Sequence, residues 1–143
     1  MKKTVLALLL CALSLCAFGK DCRIMGGAYE AFLVKAGSAA MTKEARSAVI
    51  QERMNDVMSL EQAPAISLEK QKDGSVILRA GGVYVATVGK RDAEAGPGSC
   101  MSVARLWGEG ISRVYSLAAA DRNKPLPAQP KLKGKKRTRK YRR

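Results

Sequence analysis

Met25-Gly-Gly-Ala-Tyr-Glu-Ala-Phe-Leu-Val-Lys35 aligns without gaps, at an offset of 55 residues, with Ala80-Gly-Gly-Val-Tyr-Val-Ala-Thr-Val-Gly-Lys90. The glycine pair, a tyrosine, an alanine and the closing lysine coincide. Strand-forming residues flank Gly26-Gly27 and Gly81-Gly82, as expected of two-residue hairpin turns that need positive φ. Tyr29 to Lys35 and Val83 to Val88 then read as the return strands. Each is followed by a small-residue loop and a helical pattern, starting near Thr42 in one half and near Ser99 in the other. The repeated order predicts an internal duplication, with chance similarity in a short Gly/Ala-rich window as the alternative.

Between the copies, Ala65-Ile-Ser-Leu-Glu-Lys-Gln71 alternates apolar and polar residues, Lys72-Asp-Gly-Ser75 has turn chemistry, and Val76-Ile-Leu-Arg79 is again strand-like. A three-stranded meander results: Ile66 to Gln71, Val76 to Arg79, Val83 to Val88. The first helix is expected to be capped by Thr42 and to carry Glu44 in its first turn, where the dipole favours an acid. Its expected apolar face is Ala45, Val49, Ile50, Met54, Val57 and Met58, with Lys43, Glu52, Arg53 and Asp56 solvated. The second, Ser99 to Ala118, repeats Val103, Trp107, Ile111, Val114 and Ala118 at helical spacing. Burying both stripes calls for an α+β layer: a small antiparallel sheet of hairpin and meander, packed on one face by two helices.

The N-terminus carries a different signal. Lys2-Lys3, an apolar run from Val5 to Phe18 broken only by Ser14, and Gly19 before Lys20-Asp21 have the order of a secretory leader. Residues 1–19 are therefore expected to be a signal peptide, cleaved after Gly19 with Ala17 at −3; cleavage after Ala17 is the alternative. Cys16 follows Leu15 and Cys11 follows Leu10, so neither has the small preceding residue of a lipid acceptor. The expected location is secreted, periplasmic or associated with the cell envelope, without a transmembrane segment in the mature chain.

Charge divides what remains. The chain holds 26 basic and 12 acidic residues; setting aside Lys2, Lys3 and the ten basic residues from Lys124 onward leaves 14 against all 12 acids between Lys20 and Asn123. A compact domain over 20–123 is thus nearly neutral, and no basic face is expected on it. Lys124-Pro-Leu-Pro-Ala-Gln-Pro-Lys131 forbids helix and suits an extended spacer. The segment 124–143 reads as linker plus disordered basic tail, whose candidate polyanion contacts are Lys131, Lys133, Lys135, Lys136, Arg137, Arg139, Lys140, Arg142 and Arg143. An anionic envelope lipid or polymer is the expected partner. A nucleic-acid partner, a protein partner or a solubility tail without one stay open.

Catalytic constellations are scarce. With no histidine in the sequence, Ser-His-Asp and Cys-His arrangements and Cys/His zinc sites are excluded. Glu30, Glu44, Glu52, Asp56, Asp92 and Glu109 read as scattered on solvated faces or turns, so no enzyme, metal or cofactor is expected. Gly96-Pro-Gly-Ser99 reads as a turn and helix cap in preference to an anion loop, since Pro97 removes a donor. Gly108 and Gly110 each cost the second helix about 1 kcal/mol relative to alanine; close backbone packing is the expected reason, a kink at a ligand site the alternative. Cys22 and Cys100, outside the leader, are expected to pair as in most exported chains, with two separate thiols as the alternative. Such a loop would contribute about 4 to 5 kcal/mol in the chain-entropy model.

The order Ala28-Tyr-Glu-Ala-Phe-Leu-Val34, a glycine-containing loop, Thr42-Lys-Glu-Ala-Arg-Ser-Ala-Val-Ile-Gln-Glu-Arg-Met54, Gly82-Val-Tyr-Val-Ala-Thr-Val88, Asp92-Ala93 and then Val103-Ala-Arg-Leu-Trp107 resembles a known module. It is similar to the extracytoplasmic domain that precedes the membrane part of some bacterial small-conductance mechanosensitive channel proteins, over about Tyr29 to Leu117. In that family the segment after the first strand typically reads Ser/Thr-x-Glu-Arg-Ala, and the second strand ends in Thr-x-x-Asp-Ala. Here the arginine stands at Arg46 and Gly89 takes the threonine's place. The resemblance implies a non-catalytic periplasmic module, not channel activity. Together these features predict an exported, non-enzymatic envelope module with a polycationic tether; the alternative is a secreted polyanion- or nucleic-acid-binding protein acting through its tail.

Overall fold

A computed structural model describes residues 21–124, with elements in the order β1 (Cys22–Gly26), β2 (Tyr29–Val34), α1 (Lys43–Met58), β3 (Ile66–Lys70), β4 (Val76–Ala80), β5 (Val83–Val88), α2 (Lys90–Ala95) and α3 (Cys100–Arg122). The class is α+β. The strands divide into two antiparallel sheets, β1-β2 and β3-β4-β5, in place of one sheet, and the short α2 occupies what reads as loop in the sequence.

The two hairpins match each other residue for residue, at an offset of 54 and not the 55 of the sequence alignment. In one, Gly26 pairs with Tyr29 and Met25 with Glu30, Ala31 is passed over, and Ile24 then pairs with Phe32. In the other, Ala80 pairs with Val83 and Arg79 with Tyr84, Val85 is passed over, and Leu78 then pairs with Ala86. Turn length, register and bulge are the same. The first turn is therefore Gly27-Ala28, not Gly26-Gly27. Gly27 alone takes positive φ there, at +64°, whereas both Gly81 (+59°) and Gly82 (+83°) do so in the second. One positive φ followed by a negative one, and two in succession, are the two twist-compatible hairpin turns. Gly26 is left as the last residue of β1, packed against Val114 and Met54.

Side chains of α1 reach the strands of both sheets. Thr42 caps α1, its hydroxyl accepting the Ala45 N–H at 3.3 Å. Gln51 then reaches the free edge of β1, its amide oxygen accepting from the Met25 N–H (2.8 Å) and its amide nitrogen donating to the Met25 carbonyl (2.9 Å). Two residues on, Arg53 donates to the carbonyl of Val85, the bulged residue of β5, at 3.2 Å. α1 thus packs on β1 and β5, and α3 on β4 and β2, so each helix spans the first strand of its own hairpin and the second strand of the other. The buried face of α1 is Arg46, Ser47, Ile50, Met54 and Val57. Ala45 faces solvent and Arg53 is half-buried, both against expectation.

The stripe of α3 falls as the sequence predicts: Val103, Trp107, Ile111 and Val114 are buried. Trp107 stacks on Phe32 with ring centres 4.5 Å apart. Ile24, Val34, Ile50, Leu78, Val88 and Ile111 complete a single core reached from both sheets, each such side chain contributing about 1.5–3 kcal/mol on burial. The glycines of α3 are explained by closeness to the strands, Gly110 to backbone and Gly108 to side chains. A β-carbon on Gly110 would lie 2.9 Å from the Ala31 carbonyl carbon and closer still to its oxygen, and one on Gly108 would lie 2.7 Å from Ile66 Cγ2.

Candidate functional site

Ala31 to Leu33 of β2, Lys35 just beyond it, Asp92 of α2, the Gly96-Pro97 turn and the first half of α3 line a cleft of about 230 Å³. Phe32, Val103, Leu106 and Trp107 make its walls largely apolar, and Lys35 and Asp92 supply its charged groups. Leu106 stays 49% exposed at the cleft although α3 has a core to bury it in. The reason is geometric: Leu106 follows the outward Arg105 and lies off the stripe that Val103 and Trp107 define.

Behind this cleft lies a buried ion pair. Arg46 donates from Nη1 to Asp92 Oδ1 at 2.6 Å and from Nη2 to Asp92 Oδ2 at 2.9 Å. The same nitrogens reach the carbonyls of Ala36 (2.8 Å) and Thr87 (2.9 Å), and Asp92 Oδ2 also accepts the Gly89 N–H at 2.9 Å. The Arg46 guanidinium lies 5.7 Å from the Trp107 ring centre. Asp92, read from the sequence as a solvated acid, is thus buried. Charges this far from water persist only when fully paired and hydrogen-bonded, and both side chains are. The pair holds α1, α2, the end of β5 and the loop after β2 at one point. By tying those four segments together it acts as a strut.

Sequence spacing contained one trace of this partnership. Arg46 stands in register with Ile50, Met54 and Val57 on the buried stripe of α1, and an arginine in such a row asks for a buried carboxylate. Nothing local named Asp92, 46 residues away.

A second cleft of about 650 Å³ lies between the β3–β4 turn and the start of α3, lined by Lys70, Asp73, Ser75, Lys90, Ser99 and Cys100 among others. Ser99 caps α3, accepting the Ser102 N–H at 3.2 Å, as the turn-and-cap reading requires. Ser75 donates to Asp73 from its N–H and its hydroxyl, and these bonds hold the Asp73 carboxyl below its ordinary range. Among the described residues no group of three or more Cys, Asp or Glu side chains is placed to hold a metal ion.

Cys22 opens β1 opposite Val34, and Cys100 opens α3; both are half-buried against the same core. No disulfide joins them in this structure. The leader and Lys131, Lys133, Lys135, Lys136, Arg137, Arg139, Lys140, Arg142 and Arg143 lie outside the described residues, as does the linker beyond Lys124. No described helix is long and apolar enough to cross a membrane. In comparisons with known proteins, the chain matches no family model, no curated protein and no solved structure.

Proposed function

We propose that the chain is an exported, non-enzymatic envelope module, a small α+β body tethered to anionic lipid or polymer by its basic C-terminal segment. The observation that carries this is the partition of charge: ten of the 26 basic residues lie from Lys124 onward, while 12 acids nearly balance the 14 basic residues of the body. Roughly 1 kcal/mol for each Lys or Arg near an anionic surface makes several such residues sufficient for reversible attachment. The leader-like N-terminus supports an extracytoplasmic address. The resemblance to periplasmic domains of mechanosensitive channel proteins supports a non-catalytic role there.

The test is direct. Replacing the nine basic residues from Lys131 to Arg143 by glutamine in the full chain is expected to abolish most binding to anionic vesicles. Binding by the parent should weaken steeply with salt, since exposed contacts are screened over about 8 Å at physiological ionic strength. Binding that ignores both changes refutes the tether. Sequencing the N-terminus of protein from its native envelope should return Lys20, or Phe18 for the alternative cleavage; intact Met1 in the cytosol refutes export.

A further inference from the structure

The outer face of the three-stranded sheet holds two arginines around one tyrosine. Tyr84 of β5 pairs in register with Arg79 of β4, and Ser67 of β3 completes the row. The Arg79 guanidinium lies 5.7 Å from the Tyr84 ring centre, and that of Arg53, arriving from α1 beyond the other edge of β5, lies 4.5 Å from it. One N–H of Arg53 is held by the Val85 carbonyl, and the Tyr84 hydroxyl is bonded to Thr87 Oγ1 at 2.8 Å. Ring and first guanidinium are therefore fixed from behind.

Neither arginine has a carboxylate within ion-pair distance. Among the described residues the ion pairs are Arg23–Glu30, Arg46–Asp92, Lys90–Glu94 and Lys124–Asp121. Glu69 shares the sheet face but pairs with Ile77, one row from Arg79 and on the far strand from Tyr84. A body that is nearly neutral in sum thus gathers two uncompensated forks on one aromatic platform. Beside them a cleft of about 140 Å³ is lined by Met41, Arg53 and Tyr84 among others, and Met41 is 45% exposed. An exposed thioether, a half-buried tyrosine and paired guanidiniums are the composition of a surface that meets a lipid–water boundary.

We infer that this face docks on an anionic phospholipid surface, with Arg53 and Arg79 taking headgroup phosphate in their forks, Tyr84 at headgroup depth and Met41 in the acyl boundary. Guanidinium forks match phosphate oxygens, and charge complementarity sets the partner. The inference extends the tether: the basic segment captures the surface and the sheet face orients the body on it.

The full chain with Arg53→Gln and Arg79→Gln, with and without the glutamine-substituted tail, is titrated with phosphatidylglycerol/phosphatidylcholine vesicles. Arg105→Gln with Arg113→Gln, exposed on α3 across the sheet, removes equal charge as a control. About fivefold per arginine is expected from proximity to an anionic surface, so the face variant, lacking two, should lose roughly 25-fold in both tail backgrounds and the control markedly less. Equal losses in face variant and control overturn the inference, as does displacement of the protein from vesicles by millimolar inorganic phosphate at constant ionic strength. If the double variant loses its native near-ultraviolet spectrum, Met41→Ser decides: weaker binding supports docking and unchanged binding overturns it. A silent face with a sensitive tail overturns docking alone, and the reverse overturns the tether alone.

Discussion

Gly110→Ala tests the seam between α3 and β2. Judged on the helix alone, the substitution should stabilise by about 1 kcal/mol, because alanine is the better helix former. The tertiary structure reverses the sign. The added methyl would lie 2.9 Å from the Ala31 carbonyl carbon and nearer to its oxygen, and that carbonyl belongs to strand backbone at the bulge, which no rotamer change can move aside. α3 and β2 would have to separate by about 1 Å, and a gap of that order forfeits a quarter to a half of each dispersion contact along the seam. The Phe32–Trp107 stack is among them. Overpacking of this kind costs about 1–3 kcal/mol or more, so a net loss of about 2 kcal/mol is expected, or roughly 10 °C in Tm for a domain of this size. Gly108→Ala is the internal comparison, since its added methyl meets the Cγ2 of Ile66, a side-chain atom that moves with χ1, and no backbone; its cost should be smaller than that of Gly110→Ala, about 1 kcal/mol. Thermal and urea unfolding of both variants, followed by Trp107 fluorescence, measure the difference. Gly110→Ala as stable as the parent would refute the close approach.

Asp92→Asn leaves Arg46 buried without its counter-charge and should cost about 3–5 kcal/mol, whereas Arg46→Met with Asp92→Leu should recover much of that loss; urea midpoints decide. At the end of α3, Tyr29 donates to Asp121, which also binds Lys124. Bonds from Lys124 and then Tyr29 hold the Asp121 carboxyl below its usual 3.8, so its contribution is present above that pH and is lost as pH falls through the depressed folded value. The bond to Asp121 raises the Tyr29 phenol above 10.0, so that contribution is full below pH 10.0 and is lost as pH rises through the folded value. Protection of the amides at 119–123, taken relative to the intrinsic exchange rate at each pH, should fall at both limits, and Asp121→Ala should flatten the acid limb; protection that does not change with pH in the parent refutes the latch. If Cys22 and Cys100 pair in the exported protein, it should contain no titratable thiol outside the leader and should lose several degrees of Tm on reduction; two thiols reacting under native, non-reducing conditions refute the pairing.

Local chemistry determined a good deal by itself. Alternation marked β3, turn and glycine-pair chemistry bounded β4 and β5, capping chemistry located Thr42 and Ser99, and helical spacing picked out the buried stripe of α3, because these are properties of neighbours in sequence. The glycine pairs announced two hairpins, yet identity of letters placed their equivalence at 55. The hydrogen-bond ladder places it at 54, because Ala28 and Gly82 differ in φ while the turn length and the bulge are kept. The division into two sheets, the rotation of α1 that buries Arg46 and turns Ala45 outward, and the meeting of Arg46 with Asp92 were decided only in three dimensions. Each depends on pairing edges and charges from distant segments, and a buried ion pair has no periodicity to betray it. The grouping of Arg53, Arg79 and Tyr84 belongs with these: net charge is a sum over the chain, whereas a surface is made by whichever residues the sheet register and one helix bring to the same face.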